Sequence, residues 1–402
     1  MGSIREIIAP SPEELAQEFE SLQVDKGGIG IMLPKSHFHV LRVRTLKSPA
    51  ANILKQELLS IGGDCATSQT VILGDPEPHD VIIMATRRQL ATLKTKLKAQ
   101  PFGLKALAGQ IEEFLRRTKQ GDRRIDPVLA TLSEDPSHHP LIMAIVNATP
   151  DSFSEGGAYR DVSAAVTHGL EHLEQGAEII DVGGESTRPG SDPVPPEEEL
   201  TRVLPVISGL REKTDRPISI DTVKSEVAAE ALRAGAFMVN DVTAGRFDPP
   251  ILGVVADAGC PYVIVHMLGE PKTMQTKPYY SLLMDDLHSF FDERLALAVK
   301  SGIKEEQIII DPGIGFGKRR EDNYAILRRL RELRVFGRPI LVGASRKSFL
   351  QSDLGRTPQE RLEESIAAGT IAMSNGADIL RVHDVLPAVK SRLVVQRLVG
   401  QA

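Results

Sequence analysis

The stretch LIMAIVNATPDSFSEGG, residues 141–157, begins with an apolar run and continues into a loop rich in proline, serine and glycine. The apolar run, 141–146, predicts a β-strand that is buried on both faces. Asn147 follows at its end, and the short side chain of Asn147 can both donate and accept hydrogen bonds. A buried strand that ends in a polar side chain and a loop is the usual place for a ligand in α/β enzymes.

The same alternation recurs seven more times after this strand. Each predicted strand is followed by a stretch with the periodicity of an amphipathic helix. The predicted strands are 141–146, 178–182, 217–221, 237–240, 261–266, 307–310, 339–343 and 378–382. The predicted helices are 161–175, 197–214, 223–234, 250–258, 281–301, 321–334, 359–375 and 386–399. Eight such units in roughly 260 residues predict an α/β fold of the (β/α)8 TIM barrel type. A doubly wound open sheet is the alternative, but no GxGxxG follows the first strand.

The first third of the chain predicts a second, smaller domain. Residues 1–119 show a mixed α/β pattern, and the polar segment 120–140 is interpreted as a linker to the barrel domain, 141–402. Helices are predicted within 1–25 and at 49–61, 89–97 and 104–117, and strands at 39–44, 70–73 and 80–85. A domain of about 120 residues is large enough to bury a core of its own.

Composition excludes several classes of protein. The chain has 402 residues, a net charge of −6 and 41% hydrophobic residues, which is ordinary for a globular protein and argues against nucleic-acid binding. No apolar run approaches the roughly 20 residues that span a bilayer, and the N-terminus lacks the pattern of a signal peptide. Two cysteines, Cys65 and Cys260, are too few for a disulfide framework. We therefore expect a cytoplasmic protein without a membrane partner.

One segment is strongly basic, since residues 85–124 contain 11 Lys or Arg against 3 Asp or Glu. Such a segment could be a docking face for an anionic partner. Solvated helix faces are the simpler interpretation, and the one we favour.

Polar side chains follow every predicted barrel strand. They are Asn147, Asp181, Asp221, Asn240, Asp241, His266, Met267, Asp311, Ser345, Arg346, Lys347, Arg381 and His383, with Met267 the one apolar member. The active sites of (β/α)8 barrels lie at the carboxyl ends of the strands. Each of these residues could by itself be a helix cap or a structural ion pair. Their convergence on one end of the barrel favours a ligand site.

The chemistry of these side chains narrows the ligand. Asp221, Asn240 and Asp311 suit a ring edge that is rich in N–H donors, because a carboxylate accepts two such bonds side by side. Lys347 is a donor for a ring carbonyl or nitrogen. Loops after the seventh and eighth strands of such barrels often bind phosphate, which the fork of Arg381 and the ring of His383 could hold. The amide oxygen of Asn147 could join them or bind a magnesium ion.

Seven motifs together resemble those of dihydropteroate synthases. They are NATPDSFSEGG (147–157), DVGGESTRPG (181–190), SIDT (219–222), ND (240–241), DPGIGFGK (311–318), GASRKSF (343–349) and RVHDV (381–385). The resemblance covers the barrel and not residues 1–140. It implies condensation of 6-hydroxymethyl-7,8-dihydropterin diphosphate with p-aminobenzoate to 7,8-dihydropteroate and diphosphate, in folate biosynthesis. Enzymes of this family are sulfonamide targets and commonly homodimers.

The resemblance also implies roles for individual residues. Asp221, Asn240, Asp311 and Lys347 would bind the pterin, with Met267 lining the same pocket. Asn147, Arg381 and His383 would hold the diphosphate and its Mg²⁺, with Asn147 as the metal ligand. The p-aminobenzoate site would be formed by Thr187, Arg188, Pro189, Phe316 and Ser345, with Asp151 and Phe153 on a closing loop. Lys347, Arg381, His383 and Asp221 are the expected catalytic residues, acting on a transition state in which the diphosphate departs early.

Three alternatives remain open at this point. A methyltransferase that binds a reduced folate would retain acids such as Asp221 and Asp311, but it would not need residues that bind a diphosphate. A non-catalytic binding module would not retain intact side chains at the strand ends. A bifunctional folate enzyme would need a second site in residues 1–140, where no phosphate loop or acidic cluster is found. We expect a structural, oligomerising or regulatory role for that region.

Overall fold

The computed structural model consists of two compact units, residues 1–123 and residues 124–402. It describes residues 4–7, 12–118, 127–132, 139–148, 158–185, 193–270, 273–351 and 357–398. Both units contain α-helices and β-strands, and each has its own hydrophobic core.

The N-terminal unit is a small antiparallel sheet with helices, as the sequence predicts. Its three strands are ordered β1-β3-β2. Its elements are α1 (Pro12–Ser21), α2 (Lys26–Ser36), β1 (Phe38–Leu46), α3 (Ser48–Leu59), β2 (Asp64–Ala66), β3 (His79–Thr86), α4 (Arg87–Leu97) and α5 (Leu104–Arg117). Leu54 of α3, Leu90 of α4 and Leu104 of α5 are fully buried with Ile83 of β3. This core forms because the apolar residues of each helix repeat at helical spacing and those of β3 alternate.

Three details of this unit differ from the prediction. The predicted strand 70–73 is a 3₁₀ turn at Val71–Leu73, and the short strand β2 lies just before it. An apolar run this short does not distinguish a strand from a turn of helix by periodicity alone. Helix α2 was not predicted, because its sequence KGGIGIMLPKS contains three glycines and an internal proline, which are poor helix formers.

Five cations of the basic segment are paired with carboxylates of the same unit. Its lysines and arginines form ion pairs with Glu57, Glu112 and Glu113; the cations are Lys94, Lys96, Lys98, Arg116 and Arg117. A surface cation that is paired with a carboxylate attracts an anionic partner only weakly. Solvated helix faces therefore remain the better interpretation.

The second unit is a parallel eight-stranded barrel with helices outside it, which confirms the predicted (β/α)8 fold. The strands are β4 (Leu141–Asn147), β5 (Ile179–Gly183), β6 (Ile218–Asp221), β7 (Met238–Asp241), β8 (Tyr262–Val265), β9 (Ile308–Asp311), β10 (Leu341–Val342) and β11 (Ile379–Val382). Their order is β10-β11-β4-β5-β6-β7-β8-β9. A parallel bridge from Ile310 to Ile340 closes the barrel between β9 and β10.

Helices follow the strands in the expected order. They are α7 (Ala158–Glu174), α8 (Pro196–Arg211), α9 (Ser225–Arg233), α10 (Ile251–Ala258), α11 (Leu283–Lys300), α12 (Arg320–Arg329), α13 (Leu362–Ser374) and α14 (Val385–Leu398). Residues that face outward from the strands, such as Ile180, Ile220 and Tyr262, pack with the apolar faces of these helices. The strands are apolar along their whole length because both of their faces are covered.

The interior of the barrel has its own core, which one short helix helps to fill. Inward side chains such as Met143, Met238 and Ile309 are buried with residues of α6 (Pro127–Leu132), a helix within the segment predicted to be a linker. Val128, Leu129 and Leu132 of α6 are buried in this cluster. This part of the segment therefore belongs to the barrel. Among the described residues, no helix is long and apolar enough to cross a membrane.

Candidate active site

The polar side chains predicted to converge lie at one end of the barrel. Asn147, Asp221 and Asp311 are the last residues of β4, β6 and β9, and Asn240 is the penultimate residue of β7. The parallel register places Asp221 beside Asn240 and Arg381 beside Met143 of β4. Parallel strands bring their carboxyl ends to the same edge, which is why residues from distant parts of the chain meet here.

Arg381 is the centre of a buried hydrogen-bonded network. Its Nε donates to Asp181 Oδ2 at 2.6 Å, and its Nη2 donates to Asp221 Oδ2 at 2.6 Å. Asn240 Nδ2 donates to the same oxygen of Asp181 at 3.2 Å. Asp181, in the middle of β5, is fully buried. Two carboxylates therefore hold one guanidinium, and Asp181 also holds the amide of Asn240.

Four oxygen atoms in this region are buried without a hydrogen-bond partner within the described parts of the chain. They are Asp181 Oδ1, Ser219 Oγ, Asp221 Oδ1 and Asn240 Oδ1. A buried acceptor without a partner costs about 1–3 kcal/mol, so several together indicate a ligand that supplies donors. The ligand that fits them presents several N–H groups along one edge.

Burial controls the ionisation of this network. It raises the pKa of Asp221 to about 7, although Arg381 acts in the opposite direction. Burial also raises the pKa of Asp311, and Lys347 opposes that rise. Burial would lower the pKa of Arg381, but Asp181 and Asp221 more than compensate, and its pKa is raised. The guanidinium thus keeps its charge while Asp221 can change its protonation state near neutral pH.

Lys347 lies on the other side of this region, against the loop that follows β9. Its Nζ donates to the carbonyl of Ile314 and lies 4.3 Å from the centre of the Phe316 ring, a cation–π contact. Burial lowers the pKa of Lys347 to about 8, with Asp311 acting against the change. An added Cβ at Gly315 would lie 2.9 Å from Lys347 Cδ, so the lysine stem passes close over this glycine.

The two loops after β10 and β11 are joined at Ser345 and His383. The backbone N–H of His383 donates to Ser345 Oγ at 3.2 Å, and His383 Nδ1 lies 3.1 Å from the same oxygen. Arg346, next to Ser345, has a φ of 58°, and its guanidinium forms two hydrogen bonds with Asp384. This left-handed residue sits between two predicted site residues, and the ion pair holds it there.

The donor set restricts how a magnesium ion could bind. Within the described residues, no three His, Cys, Asp or Glu side chains are grouped to hold a metal. Asn147, half-buried at the end of β4, offers one amide oxygen. Mg²⁺ commonly uses few protein oxygens together with substrate phosphates and water. The residues therefore fit an ion that arrives with a diphosphate.

Some predicted residues lie outside the described part of the chain. They are Asp151, Phe153, Thr187, Arg188 and Pro189. The base of the loop that carries the last three is anchored, because Lys224 donates to both Glu185 and Glu199. Met267 and Phe316 are buried in the interior cluster of the barrel.

Two residues of the site have roles that the sequence did not indicate. Asp181 was predicted only as one of the polar residues at the strand ends, and Lys318 appeared only as the last residue of the motif DPGIGFGK. Asp181 contacts Arg381, which is 200 positions away, and Lys318 contacts His266, which is 52 positions away. The one signal in the sequence was that both residues lie in motifs of the family resemblance, DVGGESTRPG and DPGIGFGK.

Comparison with known families gives an independent result. The model of the family described as pterin binding enzyme matches residues 143–383. The dihydropteroate synthase of Synechocystis sp. is 47% identical over 245 residues, which cover 61% of this chain and 85% of that protein. A probable bifunctional folylpolyglutamate synthase/dihydropteroate synthase of Halobacterium salinarum is 38% identical over 376 residues, 93% of this chain and 44% of that protein. That alignment is longer than the barrel unit and so includes much of the N-terminal unit.

Solved structures resemble the barrel in the same way. A dihydropteroate synthase of Xanthomonas albilineans with 4-aminobenzoic acid has a TM-score of 0.61 and 46% identity, covering 65% of this chain and 94% of that one. The same enzyme in complex with 7,8-dihydropteroate has a TM-score of 0.59 and 43% identity, with the same coverage. The barrel, its buried acceptors and these similarities agree, and the chain belongs to the pterin-binding enzyme family.

Proposed function

We propose that this chain condenses 6-hydroxymethyl-7,8-dihydropterin diphosphate with p-aminobenzoate to give 7,8-dihydropteroate and diphosphate. This is the dihydropteroate synthase activity of its curated relatives, a transferase reaction. The observation that carries the proposal is the group of buried acceptor oxygens around Asp181, Asp221 and Asn240. A pterin presents a guanidine-like edge of N–H groups, and these groups can donate the hydrogen bonds that the oxygens lack.

The pterin is bound, in this proposal, by Asp221, Asn240, Asp311 and Lys347. The carboxylates of Asp221 and Asp311 face the ring and offset the positive charge that it gains as the diphosphate leaves. Lys347, which donates to Ile314 here, would turn to a ring acceptor. Because these groups are already buried and held by hydrogen bonds, they need little rearrangement as charge develops.

The diphosphate is held, in this proposal, by Arg381, His383 and Asn147. The C–O bond to the diphosphate breaks with its electron pair on the leaving group, and the arylamine nitrogen then bonds to the methylene carbon and loses a proton. Arg381 keeps its charge next to two carboxylates, so it can stabilise the departing anion. A Mg²⁺ ion held by Asn147 and the diphosphate would supply further neutralisation of that charge.

p-Aminobenzoate binds, in this proposal, between Phe316, Ser345 and the loops that carry Thr187, Arg188, Pro189, Asp151 and Phe153. Phe316 is buried next to Lys347, so one wall of this site is shared with the pterin pocket. An arylamine is a weak base and is uncharged at neutral pH. Positioning can therefore replace a strong general base.

The test is release of diphosphate by the purified protein with the pterin diphosphate and Mg²⁺. We expect release only when p-aminobenzoate is added, and a loss of at least roughly 100-fold in Lys347→Ala, because a buried donor to the pterin is removed. Lys300→Ala, at an exposed lysine of α11, is the matched control and should behave like wild type. No release under any condition would contradict the proposal, and binding of methyltetrahydrofolate would then favour the methyltransferase alternative.

We also propose that the chain forms a homodimer through its last two helices. Five large apolar side chains are exposed on these helices, at Ile371 of α13 and at Leu386, Leu393, Val394 and Leu398 of α14. Sedimentation equilibrium should give a dimer for wild type and a monomer for Leu393→Glu. Leu59→Glu, at a leucine of similar exposure in the N-terminal unit, should remain a dimer. A wild-type monomer, or a Leu393→Glu dimer, would refute this interface.

A further inference from the structure

The loop that follows β9 contains a lysine that no part of the proposed reaction uses. Lys318 is 3% exposed. Its Nζ lies 2.9 Å from His266 Nδ1 and donates to the carbonyls of Gly313 at 2.8 Å and Phe316 at 3.2 Å. The carbonyl of His266 lies a little farther away, at 3.3 Å. The amine of Lys318 thus has three near hydrogen-bond partners, one on the residue that follows β8 and two in its own loop.

The loop depends on side chains for its shape. All five carbonyls from residue 313 to residue 317 accept hydrogen bonds from side chains: two from Lys318, and one each from Lys347, Gln275 and Tyr280. Gly313, Gly315 and Gly317 have φ values of 66°, 83° and 62°, a conformation that leaves carbonyls outside any regular ladder. Lys318 supplies more of these bonds than any of the other three side chains.

The loop also lies directly on the segment that follows β8. A Cβ added at Gly313 would lie 1.9 Å from the carbonyl oxygen of His266, and one at Gly317 would lie 2.4 Å from that of Leu268. The two backbones are therefore in contact with no side chain between them. Lys318 joins the same two segments, so it fixes the distance between the ends of β8 and β9.

Residues proposed to bind the substrates depend on this arrangement. Asp311 accepts the backbone N–H of Gly313 at 2.7 Å, Lys347 donates to Ile314, and Phe316 lies under the Lys347 ammonium. Met267 lies between the two backbone contacts on the β8 side. Four predicted site residues are thus attached to the loop or to the segment it rests on.

We propose that Lys318 is a positioning residue of the active site, which ties the loop after β9 to the end of β8 and so sets Asp311, Phe316 and Lys347. This inference rests on the proposed function. A methionine, which is one atom shorter and has no polar end, would fill most of the space at lower desolvation cost, so packing alone does not account for a buried amine. Its hydrogen bonds to two carbonyls and to the ring nitrogen of His266 do.

The direct test replaces Lys318 with methionine, which keeps an unbranched stem and removes the amine. We expect kcat/KM for the pterin diphosphate to fall roughly 10- to 100-fold, since a displacement of positioning groups by about 1 Å can cost up to 100-fold. The equilibrium affinity for the pterin, measured by fluorescence, should weaken in parallel. Lys300→Met should leave both values unchanged. All assays are run well below the unfolding temperature of each variant, so a purely structural role would leave kcat/KM within about twofold of wild type and overturn the proposal.

A second pair of variants keeps the test decisive if Lys318→Met does not fold. The ring of His266 packs on Phe290, with centroids 4.7 Å apart, and contacts Lys318 through Nδ1. His266→Asn retains a hydrogen-bonding group near the position of Nδ1, whereas His266→Leu has a similar size and no such group. We expect the leucine variant to show the same defect in pterin affinity and the asparagine variant to recover most of it. Equal affinities in the two would overturn the proposal, while inactivity of the wild-type protein would refute the proposed function instead.

Discussion

Arg381→Met is expected to abolish turnover and to destabilise the protein at the same time. The methionine leaves Asp181 and Asp221 buried without the guanidinium that bridges them. Removing one partner of a buried ion pair costs about 3–5 kcal/mol, so the free energy of unfolding should fall by that amount. We expect kcat for diphosphate release to fall by at least roughly 1,000-fold, because the same guanidinium stabilises the departing anion. Urea unfolding and the diphosphate assay measure the two effects.

One further variant separates charge from geometry at this position, and a second serves as a control. Arg381→Lys keeps a cation but cannot bond two carboxylates through one planar fork, so it should recover stability better than activity. Arg328→Met, at an exposed arginine in the last turn of α12, is the matched control and should be near wild type in both measurements. Wild-type turnover in Arg381→Met would remove Arg381 from the mechanism.

Asp221→Asn is expected to weaken pterin binding by roughly 100- to 1,000-fold at pH 8. The amide keeps the shape of the side chain but loses the charge that accepts strong hydrogen bonds from the ring edge, a loss of about 3–4 kcal/mol in a buried site. The raised pKa of Asp221, about 7, adds a pH dependence. Wild-type affinity should rise as the pH increases through 7, because Asp221 ionises there, and Asp221→Asn should lack this rise. Fluorescence titration of the pterin between pH 5.5 and about 8.5 measures both.

The same pKa predicts the sign of an effect on stability. The ordinary pKa of aspartate is about 4, whereas that of Asp221 in the folded protein is about 7. Between these two pH values, Asp221 keeps its proton in the folded protein and loses it in the unfolded chain. Across this window the folded state binds more protons than the unfolded state, so the contribution of Asp221 to the free energy of unfolding decreases as the pH rises. Asp221→Asn should lose this decrease, whereas Asp257→Asn, at an exposed position of α10, should keep it. An identical pH profile for wild type and Asp221→Asn, in binding or in stability, would contradict this account.

The barrel could be read from the sequence because its signals are local and repeated. All eight predicted strands lie within two residues of the observed ones, since each is a short apolar run bounded by polar or glycine-containing loops. Helix α4 begins where Thr86 and Gln89 form a capping box, a signal also contained in a few adjacent residues. Helix α2 and the turn at Val71–Leu73 were not predicted, because their local preferences are weak and packing decides their structure.

The residues of the site could be predicted from the sequence, but the hydrogen bonds between them could not. Strand ends are visible in the sequence, so the positions of Asp221, Asn240, Asp311 and Lys347 followed from the barrel. The bridge from Arg381 to both Asp181 and Asp221 did not follow, since Arg381 was expected to serve the diphosphate alone. Which acceptor a long side chain reaches depends on distances across the barrel, and no sequence pattern carries them.

By itself, the sequence determined the fold class, the family resemblance and the end of the barrel at which the polar residues meet. These features follow from the period of apolar residues and from the order of strands along the chain, both of which are local. Only the tertiary structure decided that α6 fills the barrel interior, that Asp181 holds Arg381 and Asn240, and that Lys318 joins two strand ends. Those contacts connect distant residues through buried polar atoms, whose partners are selected by the cost of leaving a donor or an acceptor unpaired away from water.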